Sequence, residues 1–90
     1  MIEVLCATTD AGWTCAVSVD DDRGPATTHE VAVSRTDLAQ LAPGDPAPED
    51  LVRRSFAFLL ERESKESILR RFDLPLIGRY FPEYERTIRG

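Results

Sequence analysis

Few side chains in this chain of 90 residues have the types and spacing that catalysis needs. The only histidine is His29, and no serine or cysteine forms a recognisable nucleophile motif with it. Glu61 and Glu63 are two positions apart on a predicted helix, so they point in different directions and cannot serve as an acid–base pair on one substrate. The sequence contains no glycine-rich phosphate loop. We therefore expect no enzymatic activity, no catalytic residue and no cofactor.

Three consecutive aspartates, Asp20 to Asp22, are the one segment where a cation could be attracted. The run lacks the spaced ligands and the closing glutamate of a calcium-binding loop. Arg23 follows directly and offsets part of the negative charge. We interpret this run as a solvated turn and predict no metal site.

Cys6 and Cys15 are the only cysteines, and their spacing is not that of a metal-binding CxxC motif. The N-terminus lacks the basic start and apolar stretch of a signal peptide. No apolar run approaches the ~20 residues of a membrane span. These features predict a cytoplasmic protein without membrane contact, in which both cysteines are thiols that pack as small apolar side chains.

Charge is divided unevenly between the two halves of the chain. Residues 1–50 contain ten acidic and two basic side chains, whereas residues 51–90 contain nine basic and six acidic ones. A basic half can serve as a surface for nucleic acid, but the net charge of −5 is not the footprint of a typical nucleic-acid-binding domain. We favour the interpretation that the two halves attract each other or a second subunit.

The first 34 residues alternate between apolar and polar side chains with the period of two that is typical of β-strands. The runs begin at Ile2, Trp13 and His29. If Thr8 pairs with Trp13 across the loop Thr9–Gly12, then Cys6 lies opposite Cys15, where the two side chains could in principle bridge. All apolar side chains then share one face. The sequence predicts a three-stranded antiparallel meander whose other face carries mostly small residues.

Residues 35–90 have helical patterns. Ser34 and Asp37 match a capping box, which predicts a short helix after Ser34. Residues 43–48 are rich in proline and glycine and form a connector, and Pro48 suits the first turn of the main helix. The main helix is predicted at Leu51–Glu63, with apolar side chains over an arc of about 200°. One small sheet cannot cover so wide an arc, so this helix must also contact other helices or a second subunit.

The last 24 residues, Ser67 to Gly90, raise the question of a helix-turn-helix. We predict a short helix, a break at Pro75 and a second helical stretch that Pro82 interrupts. A recognition helix exposes polar side chains in its first turns, whereas this one begins with the apolar segment LPLIGRYF. We interpret the segment as a cap on the core, with these side chains facing inward: Ile68, Leu69, Phe72, Ile77, Tyr80 and Phe81.

The segment SFAFLLERESKESILRRFDLPLIGRYFPEYERTI, residues 55–88, resembles the core of a family of small uncharacterised bacterial proteins. The shared features are a Phe-Leu-Leu-Glu-Arg-Glu helix, a Ser-Ile-Leu segment and a Tyr-Phe-Pro-Glu-Tyr ending. The resemblance supports this segment as a folding unit. It implies no activity, cofactor or binding residue.

We predict a single α+β domain of residues 1–90, with a three-stranded antiparallel β-meander at 1–34 packed against three or four short helices within 35–90. Its predicted function is that of a non-enzymatic interaction module of a bacterial cytoplasm, which binds a protein partner or its own copy as a homodimer. Because aromatic and arginine side chains anchor many interfaces, the predicted contact residues are Phe58, Arg79, Tyr80, Phe81 and Tyr84. The alternative is a small nucleic-acid-binding or antitoxin-like regulator that uses Arg53, Arg54, Arg70, Arg71 and Arg79.

Overall fold

A computed structural model of the chain describes residues 1–44 and 46–90. Its strands are β1 (Ile2–Thr8), β2 (Gly12–Val19), β3 (Thr27–Ser34) and β4 (Arg71–Asp73). Its α-helices are α1 (Arg35–Leu41), α2 (Pro48–Leu60), α3 (Ile77–Tyr80) and α4 (Tyr84–Arg89). Two 3₁₀ turns, Lys65–Ser67 and Leu74–Leu76, flank β4. The predicted α+β class is confirmed. The predicted connector at 43–48 includes position 45, which lies outside the described residues.

The strands form one sheet in the order β1-β2-β3-β4, in which the first three strands are antiparallel. The predicted register of the first hairpin is confirmed, because Thr8 pairs with Trp13, Cys6 with Cys15 and Val4 with Val17. The apolar side chains of the meander therefore share one face. The helices cover that face, and the core lies between the two layers.

The fourth strand corrects the prediction of three strands. Residues 71–73 pair with β3 in parallel, with Phe72 opposite Val31, where we expected a short helix. Apolar residues at positions 68, 69 and 72 fit a helical period, but three residues of strand are too short to show a competing alternation. The short helix that we predicted before Pro75 is therefore absent from the described residues, and a 3₁₀ turn and a strand occupy its place.

Two of the predicted inward-facing side chains lie at the surface. Leu69 is 48% exposed and Tyr80 is 66% exposed, whereas Ile68, Phe72 and Ile77 are buried as expected. The change from helix to strand explains Leu69: it is two residues before Arg71, so in an extended chain its side chain lies on the same, exposed side as that of Arg71, opposite to Phe72. Tyr80 ends α3 on the side away from the core.

The residues that predicted the ends of the helices are found where expected, except at the end of α2. The capping box is confirmed: the Ser34 hydroxyl accepts the Asp37 N–H at 3.0 Å, and the Asp37 carboxylate accepts the Ser34 N–H at 3.0 Å. Pro48 opens α2 as expected, but that helix ends at Leu60, three residues before the predicted Glu63. Pro82 separates α3 from α4, which agrees with the predicted interruption.

A disulfide joins Cys6 and Cys15, so the prediction of two free thiols is wrong for this structure. Thr9 and Gly12 exchange both of their backbone hydrogen bonds, at 2.8 and 3.3 Å. Because hydrogen-bonded and non-hydrogen-bonded pairs alternate along antiparallel strands, Cys6 and Cys15 form a non-hydrogen-bonded pair. Side chains approach most closely at such pairs, and here the two Cα atoms are 4.0 Å apart.

Reduction of this disulfide is expected to lower the free energy of unfolding by about 2–3 kcal/mol, because the cross-link restricts the unfolded chain over a short loop. Urea denaturation with and without dithiothreitol measures the difference. A Cys6→Ser/Cys15→Ala variant is the control, since reductant should not change its unfolding. Equal stability of the reduced and oxidised wild type, with the thiols verified by mass spectrometry, would contradict this expectation.

Gly12 lies where the β1–β2 loop meets β3, and it has no room for a side chain. A Cβ at this position would lie 2.3 Å from the carbonyl oxygen of Val33 and 2.8 Å from the Cα of Ser34. Both atoms belong to the backbone, so they cannot move aside cheaply. We expect Gly12→Ala to cost about 2–3 kcal/mol of stability. Gly78→Ala is the matched control, because its Cβ would meet only the Tyr84 ring at 3.9 Å. Thermal unfolding of both variants checks the contrast, and equal midpoints would refute it.

Candidate functional site

An apolar groove of about 320 Å³ lies beside β4. The end of α2, the segment that leads into β4, and the helical segment from Leu74 to Tyr80 enclose it. Its lining residues are Leu59, Glu63, Ser67, Ile68, Leu69, Phe72, Leu76, Ile77, Tyr80 and Phe81. This volume is at the lower end of the range for sites that take a small ligand or a few side chains of a partner.

The local structure explains why these side chains converge. Leu76 and Tyr80 are four residues apart, as are Ile77 and Phe81, so each pair lies on one side of the helical segment. Phe72 faces inward from the middle of β4 and is only 9% exposed. Phe72 and the buried Ile77 therefore belong to the floor, whereas the exposed Leu69 and Tyr80 form the rim.

The groove also has polar groups among its lining residues. Glu63 follows the end of α2, and no described hydrogen bond or ion pair engages its carboxylate. The Ser67 hydroxyl bonds the Ser64 hydroxyl at 3.1 Å. The groove therefore combines an apolar floor with one carboxylate, an arrangement suited to an apolar group that has a cation next to it.

The five predicted contact residues separate into three groups. Tyr80 and Phe81 line the groove. Phe58 and Tyr84 are 4% and 1% exposed and belong to the core, with their ring centroids 5.3 Å apart. Arg79 lines a different depression, which it shares with Trp13. We therefore leave Phe58, Tyr84 and Arg79 out of the proposed contact surface.

The Tyr84 side chain has a clear structural role. Its hydroxyl lies 2.7 Å from the Ser55 hydroxyl, which donates to the Leu51 carbonyl at 2.8 Å. The Tyr84 hydroxyl is therefore the donor in the first of these bonds. Burial raises the pKa of Tyr84 to about 12, because the charged form loses its hydration.

The arginines of the nucleic-acid alternative are distributed over several surfaces. Arg53 pairs with Asp50 at 3.2 Å, Arg54 donates to the Ile88 carbonyl at 2.9 Å, and Arg71 pairs with Glu30 at 3.4 Å. Arg70 and Arg71 border the outer face of the sheet, whereas Arg79 lies beside Trp13. No single described depression contains all five guanidinium groups.

His29 is buried and uses both ring nitrogens for structure. Its Nδ1 lies 2.8 Å from the Leu69 carbonyl oxygen and its Nε2 lies 2.9 Å from the Thr27 hydroxyl. Since a carbonyl oxygen only accepts, Nδ1 must donate, and in the neutral ring Nε2 accepts from Thr27. The imidazole also packs on Phe56 at a centroid distance of 5.3 Å. His29 therefore connects β3 to the segment before β4.

The aspartate run is partly engaged by Lys65, whose side chain is only 1% exposed. The Lys65 ammonium donates to Asp21 at 2.7 Å and to the Arg23 carbonyl at 2.6 Å, and it pairs with Glu66 at 3.0 Å. The hydrogen bonds that the ammonium donates to Asp21 and then to Glu66 raise the pKa of Lys65, and the bond from Lys65 lowers the pKa of Asp21. The turn is therefore an ionic clamp between the β2–β3 loop and the 3₁₀ turn, where we had predicted simple solvation.

The described residues contain no metal-binding cluster, and the chain matches no known family. Among residues 1–44 and 46–90, no cluster of histidine, cysteine and carboxylate side chains could hold a metal ion, and no helix is long and apolar enough to cross a membrane. No protein-family model, no curated protein and no solved structure matches the chain. The family resemblance therefore stays a prediction.

The Lys65 clamp predicts a specific pH dependence of stability. A raised pKa of Lys65 stabilises the fold at pH values below its ordinary 10.5, and the gain is lost as the pH rises through the folded value. A lowered pKa of Asp21 stabilises the fold above its ordinary 3.8, and the gain is lost as the pH falls through the folded value. We expect Lys65→Met to lower the urea midpoint near neutral pH, with a smaller difference from wild type at both extremes.

Arg71→Met is the matched control for this variant, because the Arg71–Glu30 pair is largely exposed and should contribute little. Urea titrations at several pH values compare the two variants with wild type. A Lys65→Met deficit that is the same at every pH would show that the clamp acts through packing and not through charge.

Proposed function

We propose that this protein is a small non-enzymatic interaction module and that the groove beside β4 is its contact surface. One observation carries the proposal: an apolar floor of buried residues has two large, exposed apolar side chains, Leu69 and Tyr80, at its rim. Exposed apolar surface costs ~25 cal/mol per Å² relative to burial, so a partner that covers this rim gains free energy.

The chemistry of the groove supports a polypeptide partner with an apolar anchor and a neighbouring basic residue. A volume of about 320 Å³ holds one or two apolar side chains. The Glu63 carboxylate, which has no described intramolecular partner, offers a site for the cation. The net charge of −5 also favours the approach of a basic segment over an acidic one.

The bacterial and cytoplasmic setting belongs to this proposal as a prediction. The Cys6–Cys15 disulfide argues against the cytoplasmic part of this prediction, because such bonds persist mainly in oxidising compartments. The redox state of the two cysteines in the cell therefore tests the location directly. The nucleic-acid alternative makes a different prediction, which is binding of DNA or RNA that weakens with salt.

Selection of displayed random dodecapeptides on the immobilised protein tests the groove. We expect enriched peptides to combine large apolar residues with lysine or arginine. Tyr80→Glu should abolish enrichment, because it places a charge at the rim, and Glu63→Lys should shift the selected charge from basic to acidic. Thr14→Glu, on the outer face of the sheet, is the control and should leave selection unchanged.

Two results would overturn the proposal. Enrichment that persists in Tyr80→Glu would place any contact outside the groove. Salt-sensitive binding of mixed-sequence DNA or RNA that Arg70→Ala weakens would favour the nucleic-acid alternative instead.

A further inference from the structure

The strand β1 forms one edge of the sheet. Only β2 pairs with it, whereas β3 is paired on both sides by β2 and β4. A strand at an edge presents unpaired N–H and C=O groups that can bind another strand. The seven residues of β1 make it much longer than β4, the strand at the opposite edge.

The alternation of hydrogen bonds identifies the free groups. Thr9–Gly12 is a hydrogen-bonded pair, and so is Met1–Asp20 at the other end of the hairpin. The odd-numbered residues of β1 therefore bond β2, and the N–H and C=O groups of the even-numbered residues point away from it. These residues are Ile2, Val4, Cys6 and Thr8. No described hydrogen bond engages their backbone groups.

The sequence of β1 carries little that would discourage pairing. Natural edge strands are blunted by lysine, proline, bulges or inward-facing charge. The segment IEVLCAT has none of these, and its one charged residue, Glu3, is exposed on the outer face. Leu5 lies at the centre of the strand and is 79% exposed on that same face.

The strand is complementary to itself in one register. A two-fold axis at Leu5 pairs Val4 with Cys6 of a second copy and Ile2 with Thr8 of that copy. All free backbone groups then meet a partner, and the whole strand is used. Leu5 lies opposite Leu5 of the second copy in a non-hydrogen-bonded pair, where side chains are closest. Glu3 lies opposite Ala7 of the second copy, so no like charges face each other.

We propose that two copies of this chain associate through antiparallel pairing of their β1 strands, centred on Leu5, to form one continuous sheet. A second copy fits this edge better than an unrelated strand, because the same register satisfies the backbone groups and buries both exposed leucines. The interface uses the edge opposite β4, so the dimer and the groove can each exist without the other.

Sedimentation equilibrium of the wild-type chain and of Leu5→Lys tests the interface. We expect a wild-type dimer and a rise of at least about tenfold in its dissociation constant for Leu5→Lys, because two leucines are lost from the interface and two cations face each other. Leu69→Lys is the matched control: it adds the same charge at the rim of the groove and should leave the dimer intact. Circular dichroism verifies that both variants fold.

A second pair of variants tests the register. Ala7→Glu places a carboxylate opposite Glu3 of the other copy and should raise the dissociation constant several-fold, whereas Ala7→Lys should lower it. A monomeric wild type from micromolar to submillimolar concentration would overturn the proposal. So would a dimer that Leu5→Lys leaves unchanged, a dimer that Leu69→Lys disrupts, or equal effects of the two Ala7 variants.

Discussion

The parallel pairing of β4 with β3 is the constraint on which the second half of the molecule depends. It rests on the backbone bond from Glu30 N–H to the Arg70 carbonyl, at 2.7 Å, and on the His29 ring, which binds the Leu69 carbonyl at 2.8 Å. Parallel strands require a long crossover, and here the chain between β3 and β4 supplies α1 and α2 for that purpose. The two helices thus cover the apolar face of the sheet, and the position of β4 sets the floor of the groove. His29, the only histidine in the sequence, thus helps to secure this arrangement.

Two further links hold the ends of the sheet in a domain too small to rely on a large core. The Lys65 ammonium joins the β2–β3 loop to the segment that enters β4, and the Cys6–Cys15 disulfide joins the edge strand to β2. A buried cation of this kind is tolerated only when its donors are matched, and Asp21, Glu66 and the Arg23 carbonyl match them. The disulfide has another consequence, because it keeps β1 in the register that leaves its outer edge free.

The two surfaces proposed for binding lie at opposite edges of the sheet and would recognise their partners through different groups. The groove beside β4 offers apolar side chains and one carboxylate, so it selects a partner by side-chain chemistry. The edge of β1 offers backbone groups, so it selects by strand geometry and by the fit of Leu5 to its own copy. Of the predicted contact residues, only Tyr80 and Phe81 lie at either surface. Leu69 and Glu63 were not predicted there, because their exposure depends on β4 and on the end of α2.

The sequence by itself determined the elements whose signals are local. Alternation over seven or eight residues defined β1, β2 and β3 and the register of the first hairpin, while Ser34, Asp37, Pro48 and Pro82 marked helix ends. Only the tertiary structure decided that residues 71–73 form a strand, that Cys6 and Cys15 are joined, and that Lys65 is buried. Each of these depends on a partner distant in the chain or on the distance between facing side chains. A three-residue strand has too short a pattern to reveal its own conformation, and its pairing energy comes from β3, some 40 residues earlier in the chain.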